Sequence, residues 1–274
     1  MDLIGTWDAL GKRVAESIKA EQGDYYGDDE LLYCGKCNTA KQCRIKNPFV
    51  EGREDIRYCI CKCAAEKRER EEFLRRVEKN REVCFQLDRR MAYWTFAKDD
   101  GANAELTAGL KKYVEDFAEH KQKGKGLLLY GDVGRGKTYS AASVANALLD
   151  KGYTALMTDF TTIESIVSNI WDKQEYYDAL NRFSLLIIDD LAVERKSEYM
   201  SQIVQAVINT RYNAGLPLII TTNLTGEELQ SPSDMVYKRI FSRLYEMCIP
   251  VKVEGKDRRA DVLKSTVKEN LLGL

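Results

Sequence analysis

Short apolar runs and helical stretches alternate over the C-terminal two-thirds of the chain. GLLLY (126–130), TALMT (154–158), LLIID (185–189), LIITT (218–222) and CIPVKV (248–253) are short and rich in Leu, Ile and Val. Runs of this kind read as strands buried on both faces. Between them the spacing predicts helices near 137–151, 161–182, 197–214 and 233–246. Strand and helix in alternation imply an α/β fold, a parallel sheet covered by helices on both faces.

The N-terminal third has a different pattern. Trp7, Leu10, Val14 and Ile18 fall at helical spacing, which predicts a short amphipathic helix over 7–20. Six cysteines then crowd between Cys34 and Cys63. Next comes AAEKREREEFLRRVEKNRE (64–82), with thirteen charged residues in nineteen. Glu and Arg recur three and four apart, the spacing of a solvated helix laced by local ion pairs. The chain therefore divides into a Cys-rich module (1–63), a charged helical linker (64–84) and an α/β domain (85–274).

Composition narrows the chemistry. Among 274 residues, 42 Lys+Arg balance 43 Asp+Glu, so a uniformly basic nucleic-acid coat is excluded and any such contact uses a local patch. One histidine, His120, rules out a multi-histidine metal site. No run approaches about 18 apolar residues, so no membrane span is expected. The first residues mix acids and bases without an apolar core, unlike a signal peptide. A cytoplasmic location follows as the expectation. There, eight cysteines favour metal binding or free thiols over disulfides.

The strongest motif follows the first strand: Gly131, Asp132, Val133, Gly134, Arg135, Gly136, Lys137, Thr138, then Tyr139. Its glycines let the backbone curl so that N–H groups point at phosphate oxygens, and the helix that begins there adds its dipole. Lys137 would reach the β- and γ-phosphates of ATP, and Thr138 would offer its hydroxyl to Mg2+. LLIIDD (185–190) places two acids at the end of a buried strand. Asp189 would bind Mg2+ and Asp190 would polarise the attacking water. Asn223 ends the LIITT strand, either near the γ-phosphate or as a turn residue. Arg239 and Arg243 share one helix face. They read as a solvated face, or, for Arg243, as a finger reaching the nucleotide of a neighbouring subunit.

Cys34-x-x-Cys37 is a knuckle that turns two thiolates toward one ion, and Cys59-x-Cys61-x-Cys63 offers a second pair. Zinc needs four ligands. The chosen set is Cys34, Cys37, Cys59 and Cys61, with Cys61 and Cys63 a competing pair and Cys43 open as an alternate. A region this short and charged has little core, so the metal would hold it folded. Trp94 and Phe96 fit either the adenine side of the nucleotide site or core filling. Tyr199, with Lys196 and Ser197, fits either base stacking or helix packing. Trp171, Tyr176 and Tyr177 fit either the core or a DNA-facing edge.

GDVGRGKT, LLIIDDLAVER and LIITTNLT, with the later RIFSRL, resemble the DnaC/DnaI-type helicase loaders of the AAA+ superfamily, to which the transposition helper IstB is similar. The Cys cluster followed by a charged helix resembles the zinc-containing, helicase-binding module of such loaders. The resemblance implies a five-stranded parallel sheet of order 5-1-4-3-2. It implies an ATPase that binds the hexameric replicative helicase, helps place it on single-stranded DNA and self-associates in an ATP-dependent way. The alternatives are a transposition helper ATPase and a nucleotide-gated adaptor without useful hydrolysis. Two features depart from the pattern. About twenty residues follow the last strand, which implies a reduced lid with Arg258 and Arg259 as its only arginine candidates. Asp189-Asp190 stands where much of the superfamily has Asp-Glu, which implies slow, switch-like turnover.

Overall fold

The computed structural model describes residues 20–191, 197–232, 234–255 and 257. The amphipathic helix expected over 7–20 falls on 7–19, and Lys196, Arg258 and Arg259 likewise lie outside the described residues. Two compact units divide the chain, Met1–Arg75 and Arg76–Leu274. Among the described residues no helix is long and apolar enough to cross a membrane.

Among the described residues, the first unit holds two short strand pairs and the start of a helix. Strands β1 (Tyr25–Tyr26) and β2 (Leu32–Tyr33) pair antiparallel, as do β3 (Gln42–Lys46) and β4 (Glu54–Tyr58). Among its described residues few side chains are buried: Leu31, Leu32, Cys34, Gln42 and Cys61. Buried Gln42 is satisfied by accepting from the Leu32 N–H at 2.9 Å. The charged run is helical, α1 (Lys62–Cys84), and starts two residues before the expected linker. Exposed pairs such as Arg68–Glu72 at 2.9 Å support it, each by a few tenths of a kcal/mol.

The second unit is a five-stranded parallel sheet of β5 (Gly126–Tyr130), β6 (Ala155–Asp159), β7 (Leu185–Leu191), β8 (Leu218–Thr222) and β9 (Cys248–Lys252). Its order is β6-β7-β8-β5-β9, the expected 5-1-4-3-2 read from the opposite edge. Helices are α2 (Ala104–Glu115), α3 (Phe117–Gln122), α4 (Lys137–Asp150), α5 (Phe160–Val167), α6 (Lys173–Ala179), α7 (Glu198–Asn213), α8 (Gly226–Gln230) and α9 (Met235–Met247). The single helix expected over 161–182 is two, because the Asp172 side chain caps α6 anew by accepting from Glu175 N. Period-two alternation along the strands sends Leu128, Leu186, Ile188 and Ile220 to one face, against α5, α7 and α9. Leu127, Leu129, Ile187 and Ile219 go to the other, against α2 and α4. Each fully buried Leu or Ile contributes about 1.5–3 kcal/mol, so the core is carried by the two faces together.

Candidate functional site

The phosphate loop joins β5 to α4. Gly131, Gly134 and Gly136 all have positive φ, at 134°, 79° and 92°. A Cβ on Gly131 would also lie 2.7 Å from the Val253 carbonyl oxygen, so no larger residue fits there. Lys137 opens α4 and is buried, its Nζ donating to the Gly131 and Asp132 carbonyls at 2.8 and 2.7 Å. Val133 is exposed at the loop's tip, and Arg135 pairs with Asp132 at 3.3 Å. Tyr139 stacks on Trp94 at 5.8 Å and donates to the Thr95 carbonyl at 2.9 Å. Trp94 and Phe96 pack on the core beside α4.

Residues that sequence reasoning did not single out build this arrangement. Buried Asn146, on α4, donates to the Met91 and Trp94 carbonyls at 2.9 Å each and accepts from Arg81 at 3.1 Å. That one amide anchors the segment that carries Trp94. Its signal is a polar residue on the helix's mostly apolar buried face, one turn after Ser143.

The acidic end of β7 lies beside the loop. Burial pushes the Asp189 carboxyl up, opposed by hydrogen bonds from Thr221 and Thr138. The Thr221 hydroxyl donates to Asp189 at 2.6 Å and accepts the Asp190 N–H at 2.9 Å. Asp190 has φ 55°, the left-handed region, where the β7–β8 register shifts. A non-glycine residue there costs on the order of 1 kcal/mol or more, and Thr221 helps hold it. Asn223 at the tip of β8 reaches Asp190 Oδ1 at 3.5 Å. β8 lies between β5 and β7, so the sheet brings Lys137, Thr138, Asp189, Asp190 and Asn223 to one edge. Asp159, paired in register with Asp189, adds a third carboxylate to that edge.

Arg243 is elsewhere. Its guanidinium lies 5.7 Å over the ring of Tyr212, at the C-terminal end of α7. That end leads into the start of β8, whereas the phosphate loop follows the end of the parallel strand β5. The two sit at opposite edges of the sheet.

In the first unit the Sγ atoms of Cys34, Cys37, Cys61 and Cys63 lie within 4.8 Å of one another. The preferred set with Cys59 is therefore corrected: Cys63 takes its place. α1 begins at Lys62, so Cys63 comes round on its first turn. Cys59 instead ends the β3–β4 ladder and donates to the Ala40 carbonyl at 3.3 Å. The donor set fits Zn2+, whose Zn–S bonds of about 2.3 Å place tetrahedral sulfurs about 3.8 Å apart. Cys63 is 3.6 Å from both Cys34 and Cys61. The Thr39 hydroxyl, 3.1 Å from Cys37, leads in lowering that thiol to about 6, and backbone N–H groups of Lys36 and Cys37 lower Cys34. Contacts with Cys37, Cys61 and Cys34 push Cys63 up to about 12.

Residues 62–265 match the family described as IstB-like ATP binding protein. The chain belongs to this family. The replicative helicase loader DnaI of Bacillus subtilis (strain 168) is 25% identical over 247 residues, covering 83% of this chain and 78% of the relative. The replicative helicase loader DnaC of Escherichia coli (strain K12) is 24% identical over 139 residues, 49% of this chain and 54% of that protein. A putative insertion sequence ATP-binding protein of Sinorhizobium fredii is 31% identical over 108 residues, 38% of this chain and 36% of the other. Crystal structures of DnaI (TM-score 0.55, 22% identity, 66% of this chain and all of that one) and of the DnaC helicase loader (TM-score 0.52, 22% identity, 60% and 99%) share the AAA+ fold of the second unit.

Proposed function

We propose that this protein is a slow, switch-like ATPase that binds a hexameric replicative helicase and helps place it on single-stranded DNA. The reading rests on the reach of the similarity to DnaI. It covers 83% of the chain, more than the 199 of 274 residues in Arg76–Leu274, so it extends into the thiol module.

The placement of these residues supports the following roles. Backbone N–H groups from Gly131 to Tyr139 and the Lys137 ammonium hold the phosphates of ATP. Thr138 and Asp189 would hold Mg2+, which neutralises phosphate charge when bound. Asp190, held in its strained turn by Thr221 and steadied by Asn223, orients the attacking water. Arg243, at the far edge of the sheet, acts on the nucleotide of a neighbouring copy. That role requires ATP-dependent self-association. The Cys34, Cys37, Cys61 and Cys63 module carries zinc and grips the helicase. Single-stranded DNA stacks on Trp171, which is fully exposed, and on Tyr199, whose ring has Lys173 Nζ 4.8 Å above it.

The similarity to an insertion-sequence protein favours a transposition helper as the second reading. One assay separates them. The wild-type chain with Mg·ATP should place the host's replicative helicase on circular single-stranded DNA, and Lys137→Ala should not. Mixing Lys137→Ala with Arg243→Ala protein should restore part of the turnover that each lacks. No placement by wild type, with stimulation of a transposase instead, would favour the second reading.

A further inference from the structure

The chain that leaves β9 runs beside the phosphate loop. The Val253 N–H donates to the Tyr130 carbonyl at 2.8 Å, one residue before the loop begins. The Val253 carbonyl oxygen stands against Gly131, 2.7 Å from where a Cβ would lie. Farther along, a Cβ on Gly134 would lie 2.0 Å from Asp257 Oδ1 and 2.5 Å from its Cγ. The Asp257 carboxylate therefore packs directly on the loop's backbone at that glycine. Between these contacts the segment has an anchor and a pivot. Asn103, which caps α2 by accepting the Leu106 N–H, donates through Nδ2 to the Glu254 carbonyl at 3.0 Å. Gly255 follows with φ 139° and open space, among the described residues, where a Cβ would point. Glycine suits that position for its backbone angle, not for room. Asp257 is exposed, so its side chain can leave the loop without disturbing the core.

We propose that Asp257 is a competitive latch on the phosphate loop: its carboxylate lies on the loop's anion-attracting surface, and the phosphates of ATP displace it. The loop draws anions through backbone N–H groups, the N-terminus of α4 and the buried Lys137 ammonium. Carboxylate and phosphate oxygens are both anionic acceptors, so they compete for the same field. A carboxylate brings one charge and a triphosphate several, so the nucleotide prevails at sufficient concentration. Displacement turns the chain at Gly255 and moves Asp257 away, while Val253 and Glu254 stay tied to Tyr130 and Asn103. The latch lowers the apparent affinity for nucleotide and makes the position of Asp257 depend on whether the loop is filled. This inference rests on reading the loop as an ATP site.

The test titrates a fluorescent ATP analogue with Mg2+ against the full chain as wild type, Asp257→Asn, Asp257→Ala and Lys137→Ala. Both Asp257 variants should bind at least about threefold more tightly than wild type, the gain expected if the latch covers the loop in about two-thirds of molecules. Pyrophosphate, which carries phosphates without the base, should gain by a similar factor when its affinity is read by displacement of the analogue. A smaller gain, weaker binding by either Asp257 variant, or a gain for ATP that pyrophosphate does not share would each overturn the proposal. Binding by wild type that Lys137→Ala abolishes upholds the ATP site whatever Asp257 does. Absence of binding by wild type and every variant would instead refute the site, and the latch with it.

Discussion

The two units reach order by different means. Arg76–Leu274 buries apolar side chains on both faces of a five-stranded sheet, and its phosphate loop is one short stretch of sequence. The described residues of Met1–Arg75 include few buried side chains, and its cysteine quartet is drawn from two stretches about 25 residues apart. A core tolerates the loss of any one contact, whereas a four-ligand centre does not. The first unit's fold and its chemistry are thus one object, and the second unit's are separable.

The sharpest way to break this contrast is to remove a ligand. Cys34→Ser should release the metal and unfold residues 20–63, since structural zinc contributes on the order of 10 kcal/mol to folding such modules. Hydrogen exchange should show the loss confined to that unit, with ATP affinity unchanged. Equal protection in the variant would mean the module folds without metal.

Arg211 is the corresponding weak point of the second unit. It is fully buried, pairs with no carboxylate among the described residues, and donates to the Phe183, Ser184 and Pro217 carbonyls at 3.0, 3.3 and 2.9 Å. Burial lowers its pKa to about 10. It ties together the starts of β7 and β8, the strands that carry Asp189, Asp190 and Asn223. Arg211→Met leaves those carbonyls unpaired and should cost about 3 kcal/mol, read as a lower denaturant midpoint with zinc content intact. A change under about 1 kcal/mol would refute the clamp.

How far the sequence revealed these parts differs in the same way. The five strands and the phosphate loop were legible because each is a contiguous pattern. Spacing alone does not separate Cys59 from Cys63, and the start of α1 at Lys62 brings Cys63 onto the first turn. Thr221, Asn146 and the strained Asp190 were not legible, since their roles depend on neighbours across the sheet or along a packed segment. Asp190→Gly should expose that strain: glycine adopts φ 55° freely, so stability should rise by up to about 1 kcal/mol while turnover is lost. A variant that is both less stable and inactive would mean Asp190 is structural.

The smallest expected effect concerns pH. The Thr39 hydroxyl leads in holding Cys37 at about 6, so protons compete with the metal for that thiolate only as pH falls toward that value. Thr39→Val raises the thiol pKa and should move the midpoint of zinc release to higher pH. An unchanged midpoint would assign the lowering to backbone N–H groups instead.

The central claim is that the thiol module grips the helicase while the other unit binds ATP. Size-exclusion chromatography with light scattering, on the full chain mixed with the host's hexameric replicative helicase and Mg·ATP, tests it directly. The account predicts a complex with wild type and none with Cys34→Ser, although that variant still binds ATP. A complex that survives Cys34→Ser, or none with wild type, would contradict it.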